Sequence, residues 1–170
     1  MRSLLIGALA LTLSGFVAAE DKVAKNAGLE KLKKLAGTWV SLDEKGKPTD
    51  TVVSVFKVTA AGSAVQETIF PGQPHEMVSL YHMDGKDLLM THYCAAGNQP
   101  RMKADPKSPE NKLKFDFAGG TNLDPKKDFH MHEGSITFID DDHIAWEWCG
   151  FSDGKADGGH KVSMKLVRKK

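Results

Sequence analysis

L-L-M-T-H-Y-C-A-A-G-N-Q-P-R-M, from Leu88 to Met102, is the stretch on which the fold turns. Its first half is an apolar β-type run that carries Thr91, His92 and Tyr93. Its second half is a turn built from Gly97, Asn98 and Pro100, after which a new run opens at Arg101. In an extended strand successive side chains take opposite faces. His92 and Cys94 therefore share one face and Tyr93 takes the other.

The same pattern repeats in both directions. Short β-type runs cover Thr38–Leu42, Thr51–Thr59, Ala64–Phe70, His75–Met83, Leu88–Ala95, Arg101–Ala104, Lys112–Ala118, His130–Ile139, Ile144–Phe151 and His160–Val167. Turn residues such as Pro71-Gly72, Asp84-Gly85, Gly119-Gly120 and Asp153-Gly154 separate them. Roughly ten evenly spaced short strands predict an all-β chain, either an up-and-down barrel or a sandwich. Ahead of them, Ala27–Ala36 repeats leucine at Leu29, Leu32 and Leu35 and turns its lysines outward, a short helix that Gly37 ends.

The N-terminus has a different composition. Arg2 precedes an almost wholly apolar run from Leu4 to Val17, and Val17-Ala18-Ala19 offers small residues for cleavage. Residues 1–19 read as a secretory signal peptide, 20–36 as leader and short helix, and 37–170 as a single barrel domain. The expected location is periplasmic or secreted, with no membrane insertion once the signal is removed. Of the 23 basic residues one is Arg2, which leaves the rest equal to the 22 acidic ones. A near-neutral surface argues against nucleic acid as a partner. Oligomeric state is not legible. Export would put Cys94 and Cys149 where a disulfide is permitted, although their strand parities differ.

A short helix followed by Gly37-Thr38-Trp39 and a meander of strands resembles the calycin group, the lipocalins and fatty-acid-binding-type barrels. The resemblance spans roughly Leu29 to Arg168. It implies a calycin-like barrel in which Trp39 closes the bottom and packs against Arg168. The paired internal arginines and tyrosine with which fatty-acid-binding barrels hold carboxylates are not evident.

Register decides which side chains meet inside such a barrel. A three-residue loop around Asp84 would put Val78, Leu80 and His82 on one face with Leu88, Met90, His92 and Cys94, and Ser79, Tyr81 and Tyr93 on the other. His130, His132, Ile136 and Phe138 match Ile144, Trp146 and Trp148, with Glu147 outward. His160, Val162, Met164 and Leu166 share a face of the last strand. Of the seven histidines, His82, His92, His130, His132 and His160 then fall on the core face. If their rings converge, neutral imidazoles at His92, His130 and His132 can ligate a transition metal or haem iron. If they do not, they are polar caps bonded to backbone or water.

Cys94 reads as a small buried hydrophobe or as a partner of His92. Arg101 reads as a carboxylate clamp at the mouth or as a rim ion pair. Trp146 and Trp148 read as core that can also line a ligand. Asp140-Asp141-Asp142 lacks the spacing of a calcium loop. The signatures G-x-S-x-G and H-E-x-x-H are absent, which weighs against catalysis. The expectation is a protein that binds a small apolar or amphipathic ligand in the lumen. The alternatives are a metal or haem barrel and an inhibitor barrel acting through its rim loops.

Overall fold

Ten antiparallel strands close into a barrel in the computed structural model, which describes residues 26–170. The strands are β1 (Gly37–Leu42), β2 (Pro48–Thr59), β3 (Ala64–Ile69), β4 (Met77–Asp84), β5 (Asp87–Tyr93), β6 (Gln99–Ala104), β7 (Lys112–Thr121), β8 (His130–Phe138), β9 (His143–Ser152) and β10 (Lys155–Arg168). Each pairs with its sequence neighbour, and β10 returns to β1, so no sheet edge is left open. This is the expected all-β meander with a short helix, α1 (Ala27–Lys34), in front of it. The signal-peptide reading and most of the leader lie outside the described residues.

Helix α1 starts where Asn26 accepts hydrogen bonds from the Gly28 and Leu29 amides at 2.8 and 3.3 Å. Leu29, Leu32 and Leu35 are buried against the barrel. Gly28 permits that approach, because a Cβ there would lie 2.9 Å from Leu88 and 3.2 Å from Leu113. The helix thus covers one end, near the start of β1, β5, β7 and β9. The far end carries the start of β4, β6, β8 and β10.

Trp39 and Arg168 are cross-strand partners and lock the covered end. The guanidinium lies 4.6 Å from the indole centroid. It also donates to the carbonyls of Ala36 at 2.8 Å and Lys34 at 2.9 Å. The Trp39 indole donates to the Leu35 carbonyl at 2.8 Å. These carbonyls belong to the last turn of α1 and its exit, where helical partners run out and a cation is favoured. Leu29, Leu32, Trp39, Tyr81, Met90 and Phe115 belong to one buried core inside the barrel.

Two registers depart from the expectation. β4 and β5 pair Asp84 with Asp87, so the hairpin is a two-residue turn of Gly85 and Lys86. Gly85 has φ of 57°, at the first central position, where a type II′ turn places glycine. Every β4 side chain is therefore inverted relative to the three-residue reading. Ser79 and Tyr81 are buried beside Met90 and His92, and Val78, Leu80 and His82 take the outer face. The second departure is a bulge between Met131 and Glu133, which separates His130 and His132 from the regular Gly134–Phe138 ladder. β10 begins earlier than expected, with a matching irregularity between Ala156 and Lys161.

Replacing Arg168 by Ala is expected to cost about 2–3 kcal/mol through the lost stack and helix-end bonds. Arg168→Lys should recover less than half, since an ammonium cannot fork and stack together. Urea denaturation at unchanged m-value measures both. A loss under about 0.5 kcal/mol in Arg168→Ala would mean that the covered end is held by other contacts.

Candidate functional site

Strand β3 presents Val65, Glu67 and Ile69 to the interior, and all three have no exposed surface. A carboxyl between two aliphatic residues on a core face needs donors, and its neighbouring strands supply them. Ser54 on β2 donates to Glu67 Oε1 at 2.7 Å. Tyr81 on β4 donates to Glu67 Oε2 at 2.6 Å. Burial outweighs these two bonds and raises the Glu67 pKa from 4.5 to about 7. Burial and the adjoining carboxylate push the Tyr81 hydroxyl well above its ordinary value.

Ser79, two residues before Tyr81 on β4, faces β5, where its hydroxyl lies 3.0 Å from His92 Nδ1. His92 is 2% exposed, and desolvation lowers its pKa to about 4, so the ring is neutral near pH 7. Its centroid is 5.4 Å from that of Trp148, which meets Trp146 edge-on at 5.1 Å. Gly134 makes room for Trp148, since a Cβ there would lie 2.9 Å from the indole. His92 Nε2, Trp146 Nε1 and Trp148 Nε1 are buried and have no hydrogen-bond partner among the described residues. Asn98 Oδ1, below the β5–β6 turn, is buried and unpartnered too.

The far rim carries a second histidine group. His130 Nδ1 donates to the Asp128 carbonyl at 2.9 Å, which fixes its tautomer when neutral and leaves Nε2 as an acceptor. His132 Nδ1 lies 2.9 Å from that nitrogen and donates to it. His132 is sandwiched between Phe151 at 3.8 Å and Phe117 at 4.8 Å. Desolvation, then His130, lowers its pKa.

The expected lumen set is therefore divided. His92, Trp146 and Trp148 meet inside, and His130 and His132 pair with each other at the rim. His82 is a correction: the two-residue turn puts it on the outer face, opposite Leu89. Tyr81 is the reverse correction, expected outside and buried inside. His160 is exposed in the irregular start of β10, 2.7 Å from the Asp157 carboxylate, so it does not join the core face. Arg101 is exposed on the outer face of β6, opposite Thr91, and is not turned into the lumen. Cys94 is half-buried in the turn after β5, and it and Cys149 are free thiols. Among the described residues, no three His, Cys, Asp or Glu side chains gather as a metal-holding group. Glu67, Ser54 and Ser79 were not singled out from the sequence. The available signal was Glu67 itself, which has the parity of Val65 and Ile69.

The two buried titrating groups pull stability in opposite directions. His92 binds its proton less readily folded than unfolded. Its contribution is full above pH 6.5 and is lost as pH falls toward 4. Glu67 binds its proton more readily folded than unfolded. Its contribution is full below pH 4.5 and is lost as pH rises toward 7. Each is worth about 3 kcal/mol, so they largely cancel across their shared window. His92→Asn should therefore lose stability, relative to wild type, as pH rises through that window, and Glu67→Gln should gain it. Urea midpoints at several pH values report the slopes, and parallel curves for all three proteins would refute burial as the cause. The comparisons made with this chain leave its kinship open: no protein-family model and no curated protein matches it.

Proposed function

We propose that this chain is an exported, lipocalin-like barrel that binds a small uncharged ligand in its lumen. The apolar body of the ligand packs on Trp146 and Trp148, and its polar group pairs with His92. One observation carries the reading: three buried nitrogens, on His92, Trp146 and Trp148, are unpartnered on adjoining rings. An unpaired buried polar atom costs about 1–3 kcal/mol, which a ligand that satisfies it recovers.

Charge restricts the ligand class. Among the described residues the buried polar side chains are Ser54, Glu67, Ser79, His92, Asn98, His130 and Ser135, with no lysine or arginine in the set. Arg101 is exposed outside and Arg168 is engaged at the helix end. A fatty-acid carboxylate would have no cation to meet, and a buried unpaired anion is strongly disfavoured. Size is restricted as well, because buried side chains already fill much of the interior. The exported and lipocalin-like parts of the proposal rest on residues 1–19, on Gly37-x-Trp39, and on the stack of Trp39 with Arg168.

The indoles that would line the ligand are also its reporters. Small aromatic alcohols and ketones should change the tryptophan emission saturably. His92→Ala should weaken that binding about tenfold or more, the value of one well-placed buried hydrogen bond. Trp148→Phe should weaken it and reduce the amplitude. No saturable response with either class, or equal affinity in His92→Ala, would sink the proposal.

A further inference from the structure

We infer that His130 and His132 form a two-nitrogen metal site at the far rim, and that it takes a divalent ion of square coordination geometry, copper(II) above all. The site uses none of the lumen nitrogens and does not rest on the ligand reading above.

The first observation is the spacing of two ring nitrogens. Strand β8 leaves its regular ladder at the bulge between Met131 and Glu133. In a regular strand, side chains two residues apart are rooted about 6.7 Å from each other. Here the two rings meet, and His130 Nε2 lies 2.9 Å from His132 Nδ1. Imidazole nitrogens bind such ions at about 2.0–2.1 Å, so a right angle at the metal sets them about 2.9 Å apart and a tetrahedral angle about 3.4 Å. The spacing therefore suits copper(II) or nickel(II) better than zinc(II). Copper(II) leads on affinity for nitrogen donors.

The second observation is how each ring is held. A carbonyl only accepts, so the 2.9 Å contact with the Asp128 carbonyl puts the His130 hydrogen on Nδ1 and a lone pair on Nε2. Ligating histidines almost always make such a bond with the nitrogen turned away from the metal. His130 has no exposed surface, so packing keeps that orientation. His132 is clamped by its faces, with Phe151 at 3.8 Å and 16° and Phe117 at 4.8 Å and 18°. A ring held by its faces can still turn in its own plane. That motion swings Nδ1 from the His130 nitrogen toward an ion beside both.

Binding exchanges one hydrogen bond for two metal–nitrogen bonds. The His132 Nδ1 hydrogen leaves to solvent, and Nε2, on a partly exposed residue, takes one from solvent. Both rings stay neutral, and the ion gives up two of its waters. No three His, Cys, Asp or Glu side chains gather among the described residues, so the protein supplies two donors and water fills the rest.

Charge around the pair favours a cation. Glu133 follows His132 and stands directly across from Asp116 on β7. Like charges directly opposite each other destabilise a sheet. Lys103, across from Asp116 on β6, is engaged with Asp87 instead. Both carboxylates act on His132 in the sense that favours positive charge there.

Copper(II) chloride, titrated into the full chain carrying ¹⁵N-labelled histidine, tests the site. One ion should bind per chain with a tetragonal electron paramagnetic resonance signal coupled to two imidazoles. His132→Asn supplies an amide N–H in place of the lost donor to His130 and should keep the wild-type urea midpoint. It should bind copper(II) at least tenfold more weakly, with coupling to one imidazole at most. His143→Asn, at an exposed histidine paired with Asp140, should bind as wild type does. A wild-type signal coupled to fewer than two imidazoles overturns the inference without any variant. Equal affinity in His132→Asn overturns it as well.

Discussion

The Arg168 guanidinium is the contact on which the closed shape depends. It lies over Trp39, so it ties the last strand to the first. It also donates to carbonyls at the end of α1, so it ties the helix to the seam. A planar five-donor group can stack and donate at once, which an ammonium cannot. One end of the barrel is thereby covered and packed with aliphatic and aromatic side chains.

One side of the interior is built against the usual preference of a core. Glu67, Ser54, Ser79, Tyr81 and His92 are buried on four consecutive strands, where apolar residues would be more stabilising. The arrangement is tolerable because most of their hydrogen-bonding groups are satisfied by one another. The exceptions sit at its edge, at His92 Nε2 and the two indole nitrogens. The network is satisfied internally and left unsatisfied only at these nitrogens. Opposed pKa shifts on Glu67 and His92 fit the same picture. Each group is kept neutral by burial, one by holding its proton and the other by refusing one.

The strand count, their order and the preceding helix were legible because turn residues punctuate the chain and alternation is strong in most strands. Residues Ile144, Trp146 and Trp148 could be placed inside from parity alone. β4 could not. Its apolar residues Val78 and Leu80 face outward, and Ser79 and Tyr81 face inward, the inverse of what hydrophobic patterning predicts. The pattern fails there because the inner face serves a buried carboxyl. Local violations of patterning concentrate at functional sites for this reason. His132 and His160 were misplaced for a different reason: irregular pairing in β8 and β10 breaks the alternation that parity relies on.

The sequence by itself determined an all-β chain of about ten strands behind a short helix, because spacing and alternation are local properties. It also brought Trp39 and Arg168 to matching ends of the meander, and made His92 a neighbour of the core. Tertiary structure alone decided the site. Glu67 gains its meaning from Ser54, Tyr81 and Ser79 on other strands, and their convergence depends on the register of a two-residue turn at Gly85-Lys86. A shift of one residue there would turn Tyr81 and Ser79 to solvent and leave the carboxyl with Ser54 alone as donor. Register is a property of two strands together, and neither strand's sequence states it.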